Sequence, residues 1–343
     1  MAAEPTAKAS HGSRVGTSRP PLEVTLLDDY QGVALDMADW SSLPPGTRIQ
    51  VLREPADNED ELVRCLAGTD VLVVMRERTP LPASVLERLP RLRLITNLGA
   101  RNAAIDLQAC ARLGITTCNA AGDPQARGAT AETAWALILG WHKRLFASQL
   151  ALRAGVWQPT LSSRVQGKVL GLVGLGRIGR QMARLGTAFG MEILAWSPHL
   201  APERAAEAGA RAVDKTELFD AADVVSLHLV LAPSTEGIVG AADLRRMKGD
   251  ALLVNTARAG LVQEAALRQV LEQRRIGGAA LDAYWQEPLP AGHWLLALDN
   301  VMLSPHLGYA STENLRAYYR NALRHIHDWL SGVAIPSMQP DCQ

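Results

Sequence analysis

The chain carries no surplus of either charge, since 35 Lys and Arg stand against 35 Asp and Glu. Proteins that live on phosphate backbones show a basic excess, so nucleic-acid binding is not expected. Cysteine is sparse as well. Cys65, Cys110, Cys118 and Cys342 are scattered, with no Cys-x-x-Cys pair and no histidine cluster at metal spacing, which argues against both a metal site and a disulfide framework. They read as reduced thiols in a reducing compartment. No apolar run reaches the roughly 18 residues that a membrane helix needs. Residues 1–21 lack the apolar central segment of a secretory signal. These absences predict a soluble cytoplasmic protein with no membrane partner. Rich in Ala, Ser, Thr, Arg and Gly, residues 1–21 read as a disordered tail, with a weaker likeness to a transit peptide.

What is present is hydrophobicity in alternating blocks. Of 343 residues, 48% are hydrophobic, a length and composition suited to two domains with large cores. Strand patterns at 24–27, 49–52, 71–75, 94–97 and 115–118 alternate with helical patterns at 58–66, 82–89 and 105–113. Gly68 and Gly114 stand where two of those helices should stop. A long helical pattern over 130–153 puts Ala134, Leu137, Ile138, Trp141 and Leu145 on one face. A second series follows, with strand patterns at 169–175, 192–196, 210–213, 224–229, 252–256, 278–283 and 301–304, and a last helix over 311–331. Strand, helix, strand in repetition predicts α/β architecture with two doubly wound parallel sheets.

The strongest local signal is the apolar strand at 169–173 running into Gly174-x-Gly176-x-x-Gly179 and then a helix. Gly174 permits a tight turn, Gly176 lets backbone approach a pyrophosphate, and Gly179 lets the helix pack close to the strand. The helix start, with Arg177 and Ile178, offers free N–H groups to a phosphate. At the end of the next strand, where an acid would grip ribose hydroxyls, stands Ser197. No carboxylate there repels a 2′-phosphate, and no arginine within two residues welcomes one. The reading leans to NAD over NADP.

Three further strand ends each deliver one ionisable side chain: Arg258 in Asn255-Thr256-Ala257-Arg258, Glu287 in Gln286-Glu287-Pro288, and His306 in Ser304-Pro305-His306-Leu307-Gly308. Taken singly, each has a structural explanation: a helix-cap contact, a turn carboxylate and a core histidine. Together with the glycine loop, they make the chain resemble the D-isomer-specific 2-hydroxyacid dehydrogenase family, which includes phosphoglycerate dehydrogenases and glyoxylate/hydroxypyruvate reductases. The likeness runs from Val24 to about Leu330.

That resemblance implies a Rossmann cofactor domain (122–306) inserted in a flavodoxin-like substrate domain (22–121 with 307–343), the active site lying in the cleft between them. It implies hydride transfer between NAD(P) and a D-2-hydroxy acid or 2-keto acid, with His306 as acid/base, Glu287 supporting it, and Arg258 binding the substrate's carboxylate and carbonyl. A neutral imidazole can take the hydroxyl proton, a neighbouring carboxylate favours the imidazolium, and a guanidinium stabilises negative charge on oxygen. Asp282, Thr256, Ala257 and His228 are implied to line the cofactor. Gly99, Ala100 and Arg101 are implied to bind the substrate carboxylate through backbone N–H groups, with Arg76 where phosphate-binding relatives carry arginine. Many relatives have glycine at 101 and aspartate at 103, and the usual proline after His228 is absent.

The partners expected are a small 2-hydroxy or 2-keto acid and a second copy of the chain, docked through the face carrying Trp135 and Trp141. Two other readings share the scaffold: a formate- or phosphite-type dehydrogenase, and a non-enzymatic NAD(H)-sensing protein of the corepressor kind. With little chain beyond Ser331, control through an added C-terminal domain is not expected.

Overall fold

A computed structural model of the chain describes residues 20–124 and 128–338. The tail expected at 1–21 lies almost wholly outside the described residues, as does Cys342. The chain divides into two compact units, Met1–Ala121 with Tyr319–Gln343 and Gly122–Tyr318. The second division falls inside the last helix rather than at 306. Gly308 accepts from the Thr130 hydroxyl at 2.7 Å, and Asn314 accepts from the Asp123 amide at 3.2 Å, which ties this stretch to the second unit.

The first unit contains β1 (Glu23–Leu26), β2 (Arg48–Val51), α1 (Glu59–Leu66), β3 (Val71–Val74), α2 (Ala83–Leu86), β4 (Leu94–Leu98), α3 (Leu107–Arg112) and β5 (Thr116–Ala120). Its sheet is parallel throughout, in the order β2-β1-β3-β4-β5. β3 reads Val-Leu-Val-Val and is buried on both faces, as a central parallel strand must be. The Asn58 side chain caps α1 by accepting from the Glu61 amide, and Asp106 caps α3 in the same way. Gly114 does end α3 in a left-handed conformation, φ +69°. Gly68 has no such φ, so α1 ends without that device.

The second unit contains α4 (Ala129–His142), α5 (Leu145–Arg153), β6 (Val169–Val173), α6 (Arg177–Ala188), β7 (Glu192–Trp196), α7 (Pro202–Glu207), β8 (Arg211–Ala212), α8 (Lys215–Ala221), β9 (Val224–Leu227), α9 (Ala241–Arg246), β10 (Leu252–Asn255), α10 (Glu264–Glu272), β11 (Gly278–Leu281) and β12 (Val301–Leu303); α11 (Thr312–Leu330) follows. Its seven strands are parallel in the order β12-β11-β10-β9-β6-β7-β8. The direction of winding reverses between β6 and β9. In the first sheet the reversal lies between β1 and β3. Such reversals open a crevice at the carboxyl ends of the strands, where ligands gather in α/β sheets.

The single helix expected over 130–153 is two helices. Arg144 sits between them in the left-handed region, φ +53°, and breaks the hydrogen-bond ladder. Gly140 explains the geometry, because any Cβ there would stand 2.6 Å from the Phe146 ring, which folds back onto α4. The expected docking face is also internal. Trp135 and Trp141 are 4% and 8% exposed and join the core with Leu170, Met182 and Ile193. Trp141 rests on Gly278, whose missing Cβ would lie 2.2 Å from the indole. Within the described residues, no helix is long and apolar enough to cross a membrane.

His142 closes α4 from inside. Its Nδ1 lies 2.9 Å from the Ser163 hydroxyl, and its Nε2 is buried without a partner. Burial, then the nearby charges of Lys168, Lys143 and Arg144, pull its pKa down to about 4 against the opposing charge of Asp223.

Two outcomes follow. Trp135→Ala should cost about 3–5 kcal/mol of unfolding free energy in urea melts, the range for emptying a packed aromatic site. A loss below about 1 kcal/mol would contradict the burial of this ring. A folded-state pKa depressed below the unfolded value near 6.5 means that His142 stabilises the fold above pH 6.5, and that this contribution is lost as pH falls toward 4. His142→Gln should therefore flatten the decline of unfolding free energy between pH 6.5 and 4. An unchanged slope would place the titration elsewhere.

Candidate active site

The glycine loop lies at the reversal of the second sheet. Gly174 has φ +101°, and a Cβ there would meet the carbonyl carbon of His228, just past β9, at 2.8 Å. A Cβ on Gly179 would meet the Gly174 carbonyl oxygen at 2.2 Å. Both glycines are required by contact. Gly176 differs: nothing lies within 4 Å of its absent Cβ, and it begins α6 with no side chain capping the helix. An uncapped helix start behind open space at a bare glycine is a cradle for a pyrophosphate, with the amides at Arg177 and Ile178 at its rim. The residues fit a dinucleotide.

Ser197, His228 and Thr256 follow strands β7, β9 and β10 of the same sheet. Ser197 follows β7 and is half-buried. The His228 Nε2 lies 2.9 Å from the Ser226 hydroxyl, its Nδ1 is buried without a partner, and burial pulls its pKa down to about 4, so the ring is neutral at pH 7. Thr256 is buried, and its hydroxyl lacks a hydrogen-bond partner. The turn from Thr256 to Arg258 is stapled by Asn255, which accepts from the Ala257 amide at 3.0 Å and donates to the Arg258 carbonyl at 2.9 Å. Sequence reasoning missed this role of Asn255.

Arg258, Glu287 and His306 follow three adjacent strands, β10, β11 and β12. The Arg258 guanidinium donates to the Ala257 carbonyl at 2.8 Å. The His306 Nδ1 stands 2.6 Å from the Glu287 Oε2, with both side chains mostly buried. The other Glu287 oxygen accepts from the Tyr284 amide at 3.0 Å. The Glu287–Pro288 peptide is cis.

His306 itself is left-handed, φ +54°, a conformation that costs a non-glycine residue about 1–3 kcal/mol and needs support from its surroundings. Asp282 supplies that support. Fully buried, its carboxylate accepts from the Ser304 hydroxyl, from the Leu307 amide at 2.7 Å and from the Gly308 amide at 2.8 Å. Burial pushes its carboxyl above the ordinary aspartate value, against the pull of these donors and of His306. Tyr284 closes the same turn, its single O–H shared between the carbonyls of Ser304 at 2.9 Å and Leu281 at 3.1 Å. Asp282, expected beside the cofactor, has its observed contacts on the turn that carries His306.

The first unit has its own cluster at the reversal of its sheet. Arg76 follows β3 with φ +53°, and Asp28 follows the neighbouring β1 with φ +60°. Gly99 stands where a Cβ would contact the Arg76 Cγ at 3.5 Å, so the Arg76 stem and the 99–101 loop do lie together. Asn97 and Asn119 are paired across β4 and β5, side chain to side chain at 2.8 Å. Asn97 also donates to the Arg101 carbonyl at 3.3 Å, and Asn102 donates to the Arg76 carbonyl and to the Asn97 Oδ1. These asparagines hold the backbone of Gly99, Ala100 and Arg101, which is exposed at Ala100 and Arg101. Among the described residues, no group of His, Cys, Asp and Glu could hold a metal ion.

With this geometry in place, the chain can be compared with known proteins. Residues 135–308 match the family described as D-isomer specific 2-hydroxyacid dehydrogenase, NAD binding domain. The chain is 37% identical over 276 residues to a D-3-phosphoglycerate dehydrogenase of Methanocaldococcus jannaschii, covering 77% of this chain and 52% of that protein. It is 34% identical to a glyoxylate reductase of Aeropyrum pernix, covering 83% of this chain and 87% of that one. Thus it spans about half the length of the archaeal phosphoglycerate dehydrogenases it matches. Among solved structures, a phosphoglycerate oxidoreductase from Vibrio cholerae O395 superposes with a TM-score of 0.85 at 37% identity, over 91% of this chain and 100% of that one. The chain belongs to the D-isomer specific 2-hydroxyacid dehydrogenase family, and its second unit carries the family's NAD-binding domain.

Proposed function

We propose that this protein moves a hydride between a nicotinamide dinucleotide and a small D-2-hydroxy acid or its 2-keto acid, with His306 as the acid/base. The observation that carries the reading is the 2.6 Å bond between the His306 Nδ1 and the Glu287 Oε2. An ionised Glu287 makes Nδ1 the donor, so the neutral ring keeps Nε2 as its base.

The nicotinamide, when bound, supplies the hydride acceptor or donor. The chain's own residues do the rest. His306 takes the hydroxyl proton at Nε2 as the alcohol is oxidised and returns it in the reductive direction. Glu287 faces the imidazolium as the charge develops and prevents the ring from turning, itself held by the Tyr284 amide. Asp282 and Tyr284 fix the backbone on either side of His306 and act as positioning residues. Arg258 is proposed to hold the substrate's carboxylate and to stabilise negative charge on the carbonyl oxygen. The 99–101 loop and Arg76 are proposed to take an acid group of the substrate through backbone N–H groups and a guanidinium. Ser197 favours NAD over NADP, since it can bond a ribose hydroxyl but offers no charge to a phosphate.

His306→Ala should lower kcat/KM for the keto acid by about 10²–10⁴-fold, while dinucleotide binding followed by fluorescence stays near wild type. Glu287→Gln should lower kcat with little change in KM. The screen pairs NADH and NADPH with glyoxylate, hydroxypyruvate and phosphohydroxypyruvate. Retained turnover in His306→Ala would overturn the assignment, and cofactor binding without turnover of any keto acid would overturn the activity.

A further inference from the structure

Glu287 holds the His306 ring by one atom. Its 2.6 Å bond to Nδ1 lets the imidazole swing about that contact, and the proposed base is Nε2, on the far edge of the ring. A swing there is costly. Proton transfer needs heavy atoms at about 2.6–3.2 Å, and a misplacement of about 1 Å can slow a reaction about 100-fold.

A second ring stands in the path of that swing. Tyr309, three residues on, has its ring centroid 5.5 Å from that of His306, with the two planes at 83°. Aromatic pairs favour such perpendicular contacts at centroid separations of about 4.5–7 Å. Tyr309 is 7% exposed, so its ring is packed and does not turn in solvent.

The two rings are mounted on separately anchored backbone. On the His306 side, its own amide donates to the Ser304 carbonyl at 2.9 Å, and the Leu307 and Gly308 amides donate to Asp282. On the Tyr309 side, the carbonyl accepts from the Asn314 side-chain amide at 2.7 Å. Asn314, near the start of α11, is itself buried. Between them the Gly308 carbonyl accepts from the Thr130 hydroxyl at 2.7 Å, and the Ala310 amide closes the turn on the Leu307 carbonyl at 2.9 Å. Gly308 permits this tight passage, since a Cβ there would stand 3.0 Å from the Asp282 carboxylate and 3.3 Å from the Thr130 methyl. Tyr309 therefore does not follow the imidazole when it moves. It is a fixed stop.

We infer that Tyr309 is a further positioning residue of the proposed reaction: its ring, set across the imidazole, keeps Nε2 in place while Glu287 keeps Nδ1. Its role differs from that of Tyr284, whose hydroxyl bonds backbone carbonyls and acts on the chain. Tyr309 meets the imidazole itself. The contact is with the ring and not with a proton, so it persists whether His306 is neutral or protonated. The inference rests on His306 as the acid/base, and one arm of its test reads the ring without turnover.

The test compares Tyr309→Ala, which removes the ring, with Tyr309→Phe, which keeps it, both in the full chain. Tyr309→Ala should lower kcat about 3–10-fold for the keto acid that wild type reduces fastest, the loss that an aromatic pair of this geometry can supply. KM should change less than about twofold, and Tyr309→Phe should bring kcat back to within about twofold of wild type. Circular dichroism and dinucleotide fluorescence check the fold, and Tyr309→Leu, which leaves less of a cavity, takes the place of an alanine variant that unfolds. Independently, nitrogen relaxation of the labelled His306 ring should show added microsecond-to-millisecond motion in Tyr309→Ala and none in Tyr309→Phe. If wild type reduces no keto acid, the proposed activity fails and ring relaxation alone decides the inference. An alanine variant that turns over like wild type, a loss that falls on KM instead of kcat, a phenylalanine variant as slow as alanine, or an imidazole equally still in all forms would each overturn it.

Discussion

One turn carries the proposed acid/base, and one buried carboxylate holds that turn. His306 sits at φ +54° three residues after β12, a conformation uncommon for any residue with a side chain. Asp282 compensates by accepting a hydroxyl and two consecutive amides from residues 304, 307 and 308. Those three donors tie residues 304, 307 and 308 to one acceptor and so hold the turn against a strain of about 1–3 kcal/mol. What remains is rigidity. The ring is aimed by its backbone, and Glu287 meets its Nδ1 at 2.6 Å.

The same logic, rigid backbone supporting a few polar groups, recurs at the two sheet reversals. In the second sheet, Gly174 and Gly179 are needed because neighbouring backbone occupies the space a side chain would fill, whereas Gly176 is bare toward solvent. In the first sheet, Asn97, Asn102 and Asn119 hold a loop and the backbone of Arg76 by side-chain amides. Both crevices follow from strand order, because helices on either side of a reversal move off to opposite faces and leave the strand ends uncovered.

Much of this was legible in the sequence. The alternation of buried runs with amphipathic stretches predicted both parallel sheets, since parallel strands are apolar on two faces and must be separated by crossover helices. The glycine spacing marked its turn because steric demands are local. The histidine and its carboxylate could be listed together because each ends a strand, but their contact depends on the order β12-β11-β10, a tertiary fact. Long-range support was illegible. Nothing near Asp282 announces that it binds amides 25 residues away, and nothing near Asn97 announces Asn119. The break at Arg144 was missed because helical periodicity continues through it; only the absence of a side chain at Gly140, read against Phe146, hinted at the fold-back. Amphipathic patterning showed that the tryptophan face of α4 is covered, but not that its cover is the chain's own sheet.

The central claim is that Glu287 holds His306 with the proton on Nδ1 and the base on Nε2. Nitrogen chemical shifts of histidine-labelled protein at neutral pH measure this directly. The account predicts that the neutral His306 ring shows a protonated Nδ1 and a bare Nε2, and that Glu287→Gln disturbs this signal. A ring protonated on Nε2, or one exchanging freely between the two tautomers, would contradict it.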